Sequence, residues 1–182
     1  KLDQEIFHCY NKNKNEIDVF LEDYVFYALL LVTLYELNND IVSLEKCKKI
    51  MEECWSLFFN KDNNLLQKNI SKSNDLFVNP VDIYDNNIPN GNSIYLLICS
   101  KLYNITNIKS WYDKLDILSK SSNTYLNYNF SQMFSYIRIL DICDENLTVT
   151  FYGNVKKNEK IKKEVLKKFM GNASVIYKEN QN

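Results

Sequence analysis

Apolar residues fall along this chain in two alternating styles. From Val19 to Leu37 nearly every position is apolar, and the exceptions are Glu22, Asp23, Thr33 and Glu36. At 3.6 residues per turn Glu22, Thr33 and Glu36 lie close to one face, so the spacing predicts a helix covered on most sides. Glu22 and Asp23 stand in its first turn, where carboxylates complement the helix dipole. From Val42 to Phe59 the pattern changes. Leu44, Cys47, Met51, Cys54, Trp55 and Phe58 recur at helical spacing, while Glu45, Lys46, Lys48, Lys49, Glu52 and Glu53 fill the other side. That is a one-faced amphipathic helix. The alternation then repeats. Ile94–Ile105 is strongly apolar, Ile108–Lys120 is one-faced through Ile108, Trp111, Tyr112, Leu115 and Leu118, and Phe130–Ile142 is again apolar through Phe130, Met133, Phe134, Ile137 and Leu140. Inner, outer, inner, outer, inner is the simplest reading of such a helical array.

The connections carry their own signals. Asn11–Asn15 is a polar, lysine-rich break, and Asn60–Val78 reads as polar and irregular. Asn79–Ser93 holds both prolines and Gly91, which marks a shaped loop with Asn92 or Ser93 as the cap of the next helix. Beyond residue 145 the period changes. Leu147–Tyr152 alternates as a strand does and Gly153 ends it. Glu159–Met170 places Ile161, Val165, Leu166 and Phe169 on one helix face, Gly171 is a helix stop, and Ala173–Tyr177 reads as a second strand. Strand, helix, strand over so short a span predicts a βαβ element with parallel strands and a right-handed crossover. The chain is expected to divide into a helical-hairpin region, 1–145, and this βαβ element, 146–182, within one domain.

Composition narrows the function classes. A hydrophobic fraction of 46% over 182 residues suits one globular domain. A net charge of -1 gives no basic excess, so no nucleic-acid partner is expected. The 26 asparagines and the single arginine, Arg138, point to an AT-rich genome. On that ground asparagine is discounted as a turn signal and Asn-x-Ser/Thr as a glycosylation signal. Five cysteines, an odd number with no Cys-x-x-Cys pair, argue against a disulfide framework or a zinc site. They read as reduced, buried thiols, which favours a reducing intracellular compartment. The longest apolar run, Val25–Val32, is far short of the roughly 20 residues a spanning helix needs, so no membrane role is expected. Lys1–Glu5 shows neither an initiator methionine nor a signal-peptide pattern, and the chain is expected to be a piece of something longer.

Three segments together resemble a known family. Phe20-Leu21-Glu22-Asp23-Tyr24 opens a buried helix. Asn79-Pro80-Val81-Asp82-Ile83-Tyr84-Asp85 is followed by Ile88-Pro89-Asn90-Gly91-Asn92-Ser93. Leu147–Gly153 follows a helix carrying Ser131-Gln132-Met133. Their order and spacing look like the C-terminal part of the spermatogenesis-associated protein 20 family, thioredoxin-domain-containing proteins of the bacterial YyaL type. The family usually has serine where this chain has Asn90, and alanine where it has Val25. The resemblance runs from about Val19 onward. It implies a mainly α fold: part of an (α/α) six-hairpin toroid, as in N-acylglucosamine 2-epimerases and many glycosidases, with the small C-terminal βαβ element. The implied partner is an N-terminal part holding a thioredoxin-like domain and the first hairpins. Self-association is the other expectation for half a toroid.

Within that resemblance, sugar-processing toroids work with carboxylates at the mouth of the inner helices, one as acid and one as base or nucleophile. Asp82, Asp85, Glu22 and Asp23 are the acidic residues near the motif segments and helix starts, and they are the candidate catalytic groups. Tyr84, Asn92 and Ser93 are candidates for sugar binding. Each has a plain structural alternative: the aspartates as turn caps, Asn92 and Ser93 as a helix cap, Glu22 and Asp23 as dipole partners. His8, the sole histidine, lies outside the resembling stretch and leaves no His-based metal site or triad. The run Lys156–Lys168 reads as a solvated helix face. No cofactor or metal is expected. Two functions remain: a non-catalytic interaction or scaffold part serving a thioredoxin-like domain, or a carbohydrate-binding or carbohydrate-processing cavity.

Overall fold

The computed structural model describes residues 6, 19–70, 81, 83–145, 147–153, 159–169 and 172–178. It is mainly helical. Helix α1 (Leu21–Asn38) and helix α2 (Ile41–Phe58) form a hairpin whose turn is made by two residues. Asn39 adopts the left-handed region, φ 57°, and its N–H donates to the Tyr35 carbonyl at 2.7 Å. Asparagine tolerates that region because its short polar side chain bonds locally. Asn107 ends helix α3 (Gly91–Thr106) in the same way, and Asn64 turns the hairpin between strands β1 (Phe59–Asn60) and β2 (Leu65–Leu66). The asparagines discounted on composition therefore terminate two helices and shape a hairpin within a stretch expected to be irregular.

Asp40 starts α2. Its carboxylate accepts the N–H groups of Val42 and Ser43 and the Ser43 hydroxyl. Those bonds, the Ser43 hydroxyl first, hold the carboxyl below its ordinary value. A lowered carboxyl contributes stability above the ordinary carboxylate range and loses it as pH falls through the lowered value. Asp40→Ala is expected to lower the melting temperature by a few degrees at neutral pH and to flatten part of the acid-side decline. Asp40→Asn, which still caps, should stay near wild type at neutral pH. Thermal melts across pH check both.

Helix α4 spans Lys109–Asn129, nine residues past the expected end at Lys120, because Ser122, Tyr125 and Leu126 continue its covered face. A 3-10 turn at Phe130–Gln132 leads into α5 (Phe134–Glu145). Helices α1, α3 and α5 stand in one row, with α3 between the other two; α2 packs on α1 and α4 packs on α3. One core joins them, built from Val25, Val32, Met51, Tyr95, Leu102 and Leu118 among others.

The buried face of α5 differs from expectation. Met133, Tyr136 and Ile139 are buried, whereas Phe130 and Phe134 are each 64% exposed and Ile137 is 40% exposed. This helix carries two apolar stripes, and hydrophobic spacing cannot tell which one turns inward. Tyr136 decides it: its hydroxyl donates to the Ser119 carbonyl at 2.8 Å and lies 2.9 Å from Asn123 Oδ1 on α4.

Strand β3 (Thr148–Tyr152), helix α6 (Glu159–Phe169) and strand β4 (Ser174–Lys178) form the βαβ element. The strands are parallel, with Thr148 opposite Ser174, as the sequence predicts. On α6, Leu166 is buried, but Ile161 is exposed. Lys162 takes the inward place instead, its ammonium 5.3 Å from the Tyr177 ring centre. Strand β4 packs on α3 and α1.

Candidate functional site

Asp85 lies in the loop that enters α3. Its Oδ1 accepts the Asn90 backbone N–H at 3.0 Å and the Asn90 side-chain amide at 2.8 Å. Its Oδ2 accepts the Ser135 N–H at 2.7 Å, in the first turn of α5. Its own N–H donates to the Gln132 carbonyl at 2.7 Å. Asn90 continues the chain of bonds, accepting the Ser93 N–H at 2.9 Å as the N-cap of α3. One carboxylate thus joins the starts of two helices, where free N–H groups and the helix dipole favour negative charge. Both of its oxygens are engaged by the protein.

Asn92 and Asp23 are similarly committed. Asn92 is buried, accepting the Leu66 N–H at 2.9 Å and donating to the Leu66 carbonyl at 2.8 Å, so its amide mimics a strand partner for β2. Ser93 is buried in the first turn of α3. Tyr84 is half-buried against the core. Asp23 Oδ2 accepts the Phe20 N–H at 2.9 Å, closing the start of α1. Glu22 lies 3.5 Å from the Lys68 ammonium, and its Oε2 is buried without a hydrogen-bond partner among the described residues. The segment Leu65–Asn69 runs between these groups: Leu21 N–H donates to the Lys68 carbonyl, and Leu66 pairs with Asn92. The starts of α1 and α3 are therefore tied to one hairpin. Asp82 and His8 lie outside the described residues.

Sequence reasoning missed a different constellation. Glu36, on the narrow polar stripe of α1, is 3% exposed, and Lys101 of α3 is 4% exposed. The Lys101 ammonium donates to Glu36 Oε1 at 2.8 Å, to Oε2 at 3.1 Å and to the Ala173 carbonyl at 2.7 Å. Glu36 Oε1 also accepts the Val175 N–H at 3.3 Å, and the Glu36 carbonyl accepts the Tyr177 hydroxyl at 2.6 Å. Asn104 adds a bond to the Ser174 hydroxyl at 3.1 Å. This network clasps β4 to α1 and α3. Burial pushes the Glu36 carboxyl above its ordinary value, with the Lys101 charge opposing the rise. Burial also lifts the Tyr177 hydroxyl to about 12, so it remains a proton donor at neutral pH. The signal was present in the sequence: Lys101 is the only charged residue within Ile94–Ile105, and Glu36 is the only one in α1 after Asp23. A single charge in a buried helix needs an opposite one nearby.

Beside the clasp, a cleft of about 290 Å³ opens between α1, α3 and α5. Leu29, Ile94, Leu97, Ile139 and Ile142 form apolar walls; Glu36 and Lys101 lie on one side, and Ser135 and Arg138 come from α5. None of the sequence-derived candidates lines it among the described residues.

The thiols among the described residues show no activation. Cys47, Cys54 and Cys99 are buried and free, and desolvation holds Cys47 up at about 12 and the other two well above their ordinary value. A nucleophilic cysteine needs the opposite shift. Cys143 is half-buried, and Cys9 lies outside the described residues. No group of three or more His, Cys, Asp and Glu side chains able to hold a metal occurs among the described residues. No described helix is long and apolar enough to cross a membrane. Comparison with protein-family models and with curated proteins finds no match to this chain.

Proposed function

We propose that this chain is a non-catalytic interaction and scaffold part of a larger helical-hairpin protein, arranged as a portion of an (α/α) six-hairpin toroid. The observation that carries the reading is an apolar patch at the start of α5, made by Phe134 and Ile137 on the helix and Phe130 in the 3-10 turn before it. Phe134 and Ile137 share one helix face, and all three residues are exposed. A face this apolar is normally covered, and further hairpins or a second chain would cover it. The row α1, α3, α5 backed by α2 and α4 supports the toroid layout. The commitment of Asp85, Asp23 and Asn92 to backbone groups supports a structural role for the resembling motifs. The family resemblance supplies the proposed partner, an N-terminal part with a thioredoxin-like domain and the first hairpins.

A sugar cavity has less support. The cleft walls are aliphatic, with no aromatic ring for a sugar to stack on, and Asp85 and Asp23 face protein donors. The chain alone is expected to associate with rising concentration in sedimentation, and Phe134→Ser with Ile137→Ser is expected to suppress that association. A compact monomer at every concentration, or turnover of an N-acyl sugar by the chain, would overturn the proposal.

A further inference from the structure

We infer that the cleft between α1, α3 and α5 binds a small monocarboxylate with an unbranched apolar tail, its head held by Arg138. Five aliphatic side chains and Pro89 line the cleft, so its interior favours hydrocarbon over a hydroxylated ligand. Three charged residues border it: Glu36, Lys101 and Arg138. The first two cancel, because Lys101 spends its donors on both Glu36 oxygens and the Ala173 carbonyl. One positive charge is left over.

That charge is Arg138, which is exposed and has no hydrogen-bond or ion-pair partner among the described residues. A guanidinium fork matches a carboxylate bidentately. Ser135 stands one turn before it on the same face of α5 and adds a hydroxyl at the same edge. The surplus of one charge suits a monoanion, and the walls place the tail inward. At about 30 Å³ per water-sized group, the cleft takes a ligand of roughly ten non-hydrogen atoms. Octanoate is of that size, and a pocket this small excludes bulky ligands.

The test titrates the chain with octanoate, 1-octanol and acetate, following backbone amide signals by nuclear magnetic resonance. Octanoate is expected to saturate and to shift the amides of Leu29, Leu97 and Ile142. Octanol, lacking the charge, and acetate, lacking the tail, are each expected to bind at least tenfold more weakly. Arg138→Gln, at an exposed position, is expected to weaken octanoate at least tenfold and leave octanol unchanged. Absence of saturable octanoate binding, equal octanoate binding by Arg138→Gln, or shifts confined to residues away from the cleft would overturn the inference.

Discussion

Lys101→Met is expected to destabilise the fold by about 3–5 kcal/mol, the cost of leaving a buried charge without its partner. The substitution keeps the length of the side chain and removes the ammonium that meets Glu36 and the Ala173 carbonyl. The Glu36 carboxylate then keeps the Val175 N–H of β4 as its donor among the described residues. Denaturant unfolding at neutral pH measures the loss. Pairing Lys101→Met with Glu36→Leu is expected to recover most of it, since replacing a buried ion pair with apolar residues is often neutral or stabilising. A double variant as unstable as the single one would place the cost in packing rather than in charge.

The single variant also has a pH signature. Burial already raises the Glu36 carboxyl from 4.5, and the lysine is the main force opposing it. Without Lys101 the folded chain holds a proton on Glu36 more firmly than the unfolded chain does. Folding is then most favourable below the ordinary carboxylate value and weakens as pH rises through the raised one. Lys101→Met is therefore expected to gain stability, relative to wild type, as pH is lowered from neutral toward 5.

Asp85→Ala is the second large effect, expected to cost about 2–4 kcal/mol. It removes one acceptor from three N–H groups, and an orphaned, partly buried donor costs about 1–3 kcal/mol. The starts of α3 and α5 lose their shared anchor together. Hydrogen exchange should show the loss concentrated at Asn90 and Ser135. An Asp85→Ala chain that melts like wild type would mean that the carboxylate is kept for something other than holding the fold.

The helices were legible because burial writes itself into hydrophobic spacing. The α2 face from Leu44 to Phe58 and the parallel βαβ element follow from periodicity alone. What periodicity cannot supply is the choice between two apolar stripes: on α5 Tyr136 turns inward rather than Phe134, and on α6 Lys162 does so rather than Ile161. In each case a polar group on an otherwise apolar side chain settles the orientation through a specific contact. The short hairpin at Phe59–Leu66 was hidden because its signal lies in Asn60, Asn63 and Asn64, residues too common here to stand out. The candidate site was hidden for a different reason. Glu36 and Lys101 are 65 positions apart, and nothing local pairs them. Lone charges in two buried helices are the only trace, visible once both helices are asked where their ions go.

Synthesis runs from α1 toward β4, and the bond from Val175 to Glu36 spans 139 positions. While the chain leaves the ribosome, Glu36 emerges early, meets Lys101 later, and gains its strand donors later still. The helical hairpins assemble from neighbours, whereas the clasp closes over a long loop and is correspondingly slow to form. A nascent chain is therefore expected to build its helical hairpins first and to close the seam between Glu36, Lys101 and β4 afterwards.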